Sequence, residues 1–231
     1  MWSYYGSKSK IVDLYPPPKH NKIIEPFAGS ARYSLKYWQN DVLLVDKYEV
    51  IIKIWKWLQA CSKEDVLSLP EYNPKDEFDK TLIDEERWLI GFSCNRGSAM
   101  PKNVAGGYDD VKSNWVFRKK EIAKDLHKIK HWDIRVGGYD EIPNTEATWF
   151  IDPPYQFGGE YYKCSSKAID FIHLSDWCKE RVGQAIVCEN SKANWLPFRP
   201  IREYKGQLNT TVESMWSNHK TNYDNEQGSL F

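Results

Sequence analysis

Between residues 22 and 60 the hydrophobic period of the chain changes in an order that few folds accept. Residues 22–27 (KIIEPF) form a short apolar run of strand character, and the small-residue turn Ala28-Gly29-Ser30-Ala31 follows. A helical stretch passes through Leu35 and Trp38, and a second apolar strand, 42–45 (VLLV), ends at Asp46. Residues 49–60 (EVIIKIWKWLQA) then repeat apolar positions three and four apart, the period of an amphipathic helix. Strand, glycine turn, helix, strand, acid, helix is the opening of a doubly wound nucleotide-binding sheet.

The same pattern resumes late in the chain. Residues 147–151 (ATWFI) predict a strand ending in Asp152-Pro153-Pro154-Tyr155. A helix around 169–181, a strand at 184–188 (QAIVC) and two weaker strands near 201–204 and 211–216 complete it. Between the two halves, residues 62–130 have a different character. From Glu64 to Glu86 nine acids face two lysines, whereas from Lys112 to Arg135 eight bases face three acids. Helices near 84–94 and 115–131 bracket a glycine-rich loop, which reads as a mostly helical insertion. The expected organisation is a core of 1–61 and 131–220, an insertion at 62–130 and a polar tail at 221–231.

Charge and cysteine usage narrow the function. The 32 Lys+Arg and 32 Asp+Glu balance, so any polyanion must meet a local patch and not a uniformly basic surface. The five cysteines, Cys61, Cys94, Cys164, Cys178 and Cys188, are scattered without a CxxC pair, which argues against a disulfide framework or zinc site and for a reducing cytoplasm. No histidine spacing marks a metal site: His127 and His131 lack a convincing third ligand. No apolar run reaches membrane-spanning length, and MWSYYGSKSK lacks the features of a secretory signal, so no membrane partner is expected.

Three short segments carry the chemistry. Asp152-Pro153-Pro154-Tyr155 sets an acid and an aromatic at the carboxyl edge of a sheet, where open α/β folds place ligands, and its prolines end the ladder so that nearby carbonyls point outward. A plain strand-ending turn is the competing reading of that segment. Glu25-Pro26-Phe27-Ala28-Gly29-Ser30-Ala31 lets a backbone approach a nucleoside-type ligand, and Asp46 stands where an acid can hold ribose hydroxyls. Ala31 replaces the next glycine of a dinucleotide fingerprint, which counts against a pyrophosphate site. Tyr4-Tyr5-Gly6-Ser7-Lys8 lacks the glycine spacing of a phosphate-binding P-loop.

In this order the three segments resemble the Dam-like (α-group) N6-adenine DNA methyltransferases. The similarity spans most of the chain and is weak between about residues 62 and 145. It implies a class I S-adenosylmethionine fold, an α/β doubly wound, mostly parallel Rossmann-like sheet with a small helical insertion for DNA target recognition. Glu25, Phe27 and Gly29 are expected to line the cofactor pocket, with Asp46 on the ribose, Tyr4, Gly6 and Lys8 closing over it, and Asp152 at the reacting end. The resemblance also implies site-specific DNA methylation, as in restriction-modification. Tyr4 stands where relatives open with Trp, and Gly29-Ser30-Ala31 where they have Gly-x-Gly. Gly137-Gly138-Tyr139 replaces their adenine-contacting acid, a role open to Asp140 only in a shifted register.

The expected chemistry follows from the amine. An adenine exocyclic nitrogen is a poor nucleophile because its lone pair is delocalised into the ring. Hydrogen bonds from it to the Asp152 carboxylate and the Pro153 carbonyl favour a pyramidal nitrogen, with Pro154 stiffening the turn. The base must leave the stack, and Tyr155 is the expected stacking partner. No covalent enzyme intermediate is needed, and Cys94 and Cys188 are expected to be core thiols. Asn95-Arg96 stands where the family carries Asn-Arg before a DNA-contacting loop, with a helix cap as the equal alternative. Arg118, Lys119, Lys120 and Lys124 are candidate phosphate contacts to double-stranded DNA, with a solvated helix face as the competing reading. An RNA adenine methyltransferase and an inactive nucleic-acid-binding module of the same fold are the alternatives. Finally, Gln227-Gly228-Ser229-Leu230-Phe231 is similar to the Q-x-x-L-F peptides that dock on sliding clamps, through Gln227, Leu230 and Phe231.

Overall fold

The structure, a computed structural model, describes Trp2, residues 4–205 and residues 210–219. The segment expected to dock on a clamp, with Gln227, Leu230 and Phe231, lies outside the described residues.

Alternation of apolar side chains along four strands forces the architecture. In β1 (Lys22–Glu25), Ile23 packs into one core and Ile24 into another. In β2 (Asp41–Asp46), Val42 and Leu44 share the first core while Leu43 and Val45 share the second. β4 (Ala147–Ile151) sends Phe150 one way and Ala147, Trp149 and Ile151 the other; β5 (Gly183–Asn190) divides Ile186 and Cys188 from Ala185 and Val187. A strand apolar on both faces must be covered on both. The first face is covered by α1 (Arg32–Lys36), α2 (Glu49–Ala60) and the insertion, the second by α6 (Phe171–Lys179) through Leu174, Trp177 and Cys178.

With β3 (Asp133–Val136), β6 (Arg199–Lys205) and β7 (Thr210–Ser217), the sheet has seven strands in the order β3-β2-β1-β4-β5-β7-β6. The pairs among β1 to β5 are parallel, and β7 pairs antiparallel with both β5 and β6, so β7 alone runs against the rest. The chain is therefore α/β with a mostly parallel sheet. Its winding reverses at β1, between β2 and β4, and such a switch point opens a crevice at the carboxyl ends of the strands.

Most predicted elements are present with ends moved by a few residues. The first helix stops at Lys36, and the helix expected over 115–131 runs from Val111 to Asp125 as α5, followed by a 3-10 turn at Leu126–Ile129. β3 was not foreseen: it is a four-residue edge strand that buries Ile134 alone, so it carries no alternation to read.

Residues 62–130 hold three helices, α3 (Lys63–Ser68), α4 (Asp84–Ser93) and α5, separated by long irregular stretches, so the segment is less helical than expected. Ser62 and Asp65 form a reciprocal capping box at the start of α3. The insertion has no core of its own among the described residues. Val66, Phe92, Trp115 and Ile122 join the cluster that holds Ile23 and Trp55, and the Trp115 Nε1 donates to the Pro70 carbonyl at 2.8 Å.

Candidate active site

The segments that follow β1, β2, β3 and β4 converge on one cavity of about 690 Å³. Residues 25–32 form one wall, Asp46, Lys47 and Tyr48 another, residues 137–140 a third and Asp152 with Pro154 a fourth; residues 4–8 and the loop 162–170 close the mouth.

The turn after β1 is built by close approach. Gly29 has φ +43°, and a Cβ there would stand 3.1 Å from the Tyr4 ring, which packs directly over it. Ala31 takes the same left-handed region (φ 43°, ψ 48°) as the residue before α1, so the departure from a Gly-x-Gly loop preserves the backbone at some cost in strain. Asp46 ties this turn to the segment after β2: Oδ2 accepts from the Gly29 N–H at 3.0 Å and Oδ1 from the Tyr48 N–H at 2.8 Å. Burial pushes the Asp46 carboxyl up to about 6, against the pull of those two donors. Glu25 is fully buried at the end of β1 and accepts from the Ser34 N–H at 2.7 Å. Desolvation carries it up to about 8, although the Ser34 bonds act to lower it.

A largely buried charge cluster lies at the end of β4. The Lys8 ammonium lies 2.8 Å from Asp152 Oδ1 and 3.8 Å from Glu213 Oε1, and donates to the Gly6 carbonyl at 3.1 Å. Burial alone depresses Lys8, but Asp152 and Glu213 outweigh it and hold the ammonium above the ordinary lysine range. Asp152 is pushed up to about 6, first by burial and then by Glu213, with Lys8 pulling the other way. A carboxylate in this setting exchanges its proton close to neutrality, accepts hydrogen bonds and stabilises positive charge growing on a neighbour.

The structure brings Tyr4, Gly6, Lys8, Glu25, Phe27, Gly29, Asp46, Asp152 and Pro154 together around this cavity. Asp140 lines it as well, beside Gly137, Gly138 and Tyr139, and Phe27 faces Tyr139 with ring centres 5.5 Å apart. Pro153 is buried behind the bend and is not among the described lining residues. Nor is Tyr155: its ring lies under the Lys8 ammonium, 4.7 Å from centroid to nitrogen, and its hydroxyl donates to Glu213. The tyrosine ring that lines the cavity beyond Asp152 belongs to Tyr162, whose hydroxyl donates to the Tyr5 carbonyl at 3.0 Å. Sequence reasoning missed Tyr162 and Glu213. An acid inside a strand-like run was the one signal for Glu213; Tyr162, in a loop, gave none.

The candidate nucleic-acid residues separate. The Asn95 amide donates to the carbonyls of Gly91 (2.9 Å) and Val104 (3.1 Å) and so pins the loop that follows α4. Arg96 is exposed, pairs with both Asp110 oxygens at 2.7 Å and stacks on Tyr108 at 4.2 Å. That loop reaches the cavity mouth, where the Ser98 carbonyl accepts from the Tyr5 N–H at 3.2 Å. Lys120 and Lys124 are exposed, and Arg118 is half-buried. Lys119 is not a surface cation: it is 5% exposed and donates to the Leu69 carbonyl at 2.6 Å and the Leu67 carbonyl at 3.3 Å, tying α5 to α3. A phosphate has no access to an ammonium so enclosed, and Lys119 leaves the candidate set.

Cys94 and Cys188 are buried and unpaired. Among the described residues no group of three or more His, Cys, Asp or Glu side chains is placed to hold a metal ion, and no helix is long and apolar enough to cross a membrane. Comparison with protein-family models and with curated proteins gives no match to this chain.

Proposed function

We propose that this chain is an S-adenosylmethionine-dependent methyltransferase acting on the exocyclic amine of adenine in DNA. One observation carries the reading: Asp152, held at the carboxyl end of β4 by the Pro153-Pro154 bend, shares a single cavity with Glu25, Gly29 and Asp46 at the point where the sheet reverses its winding. The sheet is compatible with the Rossmann-like methyltransferase fold that the sequence resemblance implies.

The lining sets five acids (Glu25, Asp46, Asp140, Asp152 and Asp170) against five bases (Lys8, Arg32, Lys47, Lys163 and Lys167), so its formal charge is balanced. A cavity of 690 Å³ falls in the range of ligand pockets. When bound, S-adenosylmethionine supplies an activated methyl group to the amine nitrogen and leaves as the thioether. Glu25, once ionised, would offset its positive charge, Asp46 would hold ribose hydroxyls, and Phe27 with Tyr139 would offer an aromatic pair for its purine. Tyr4 keeps the glycine turn closed.

Asp152, which lines the cavity, accepts an N–H of the target amine, which draws the nitrogen toward a tetrahedral shape and frees its lone pair. As the carbon–nitrogen bond forms, positive charge grows on the nitrogen beside a carboxylate whose proton affinity lies near neutrality, so Asp152 is also the nearest acceptor for the proton that leaves. The target base must be extruded to reach this depth, and Tyr5 and Tyr162, which line the cavity, supply aromatic surface for it. The reading is tested by incubating the protein with methyl-labelled S-adenosylmethionine and unmethylated duplex DNA, with structured RNA in parallel, and mapping the modified bases. Label in N6-methyladenine of DNA is expected. Label confined to RNA, or none with cofactor bound, overturns it.

A further inference from the structure

We infer that Glu213, buried on β7, is a positioning residue for Asp152: it divides the charge of Lys8 between two carboxylates and fixes the Tyr155 hydroxyl, so that Asp152 keeps the acceptor strength needed by an amine. The inference rests on the proposed role of Asp152 in methyl transfer.

The placement depends on the reversed strand. Glu213 pairs in register with Asn190, the last residue of β5, so the antiparallel direction of β7 brings its early residues to the carboxyl edge of the sheet. There Glu213 Oε1 accepts from the Tyr15 hydroxyl at 2.7 Å and from the Tyr155 hydroxyl, and stands 3.8 Å from the Lys8 ammonium. Its side chain is 9% exposed and that of Lys8 is 7% exposed. A carboxylate in the middle of a buried strand has no packing advantage over an apolar residue, and its desolvation is costly unless it is paired.

A buried acid, Glu213, and a half-buried one, Asp152, therefore share one base. With Asp152 alone, the Lys8 ammonium would be fully committed to it, and a fully paired carboxylate is a weak acceptor. Glu213 draws part of that charge away and repels a second negative charge at Asp152. The other groups around Asp152 do not substitute for this. Tyr155 and Tyr162 are neutral donors, and the Tyr15 and Cys188 protons are held firmly by burial. Asp152 also raises Glu25 and Glu189, and each of these is engaged by its own N–H donors, at Ser34 and at Gln156 with Asn190.

The test uses the intact protein and E213Q, which keeps an oxygen for both tyrosine hydroxyls and removes the charge. Carboxyl NMR, read without substrate, is expected to show Asp152 titrating about one unit lower in E213Q than in the wild type. Methyl transfer is expected to fall roughly tenfold at neutral pH, with the acid limb of the pH–rate profile moved down by the same interval. An unchanged Asp152 titration overturns the inference, as does an unmoved acid limb in an active variant. If E213Q does not fold, Tyr15→Phe replaces it: losing one donor, Glu213 draws Lys8 further from Asp152, whose titration moves up, and no movement overturns the inference. If the wild type transfers no methyl group, the proposed function fails, while the titration still decides whether Glu213 acts on Asp152.

Discussion

At Asp152 burial, helped by Glu213, raises the carboxyl more than Lys8 lowers it, leaving a group that ionises at about 6. Methyl transfer is therefore expected to decline as pH falls through that value, since only the carboxylate accepts from the amine. Asp152→Asn removes the charge in a side chain of the same size. The expected result is a loss of at least about 100-fold in kcat with cofactor affinity within a few-fold of wild type, read by labelled methyl transfer and by calorimetry. Glu25 gives a second pH signature. Its folded value of about 8 exceeds the ordinary 4.5, so the folded chain retains a proton that the unfolded chain has lost over that interval. That contribution to stability is present at low pH and disappears as pH rises toward 8. A cationic ligand favours the ionised form, so its affinity should rise with pH up to about 8, and Glu25→Gln should flatten both trends. Thermal melts and ligand titrations between pH 6 and 9 measure them.

Among the elements, α4 shows how packing overrules propensity. Gly91 lies inside it, where alanine would ordinarily add about 1 kcal/mol of helix stability. A Cβ there would meet the Lys102 carbonyl oxygen at 2.4 Å, because the loop after α4 folds back against the helix. Gly91→Ala is accordingly expected to lower stability by about 1–3 kcal/mol in denaturant unfolding. A stabilised variant would show that the loop stands farther off. The same loop is held by Asn95, so helix end and loop act together at the cavity mouth, near Tyr5. β7 is the other decisive element, since its reversal alone brings Glu213 to the carboxyl edge of the parallel strands.

For the whole molecule, the insertion and the sheet share one core, so residues 62–130 are expected to unfold with the rest in a single transition. With a balanced total charge, the DNA binding proposed for this chain would rest on local cations. Replacing Lys120 or Lys124 by alanine should reduce the slope of log affinity against log salt by about 1 each. Lys119→Ala should leave that slope unchanged and lower stability, because this ammonium serves the Leu67 and Leu69 carbonyls. A salt series by fluorescence anisotropy, with a melt for each variant, separates the two outcomes.

Apolar runs and punctuation were enough to read β1, β2, β4, β5 and α2 from the chain, because a strand covered on both faces and a helix covered on one each impose a period on the sequence. The same local rules located the residues after those strands, which is why Glu25, Gly29, Asp46 and Asp152 could be named before any coordinate. β3 escaped because a short edge strand buries too little to impose a pattern. Lys119 could not be told from its exposed neighbours at 120 and 124, since its partners lie some fifty residues away. Glu213 could not be linked to Lys8 for the same reason, with about two hundred residues between them. Strand-end chemistry is local and is written in the chain; the sharing of one buried cation by two distant acids exists only after the sheet has closed, because burial and proximity are properties of the folded arrangement.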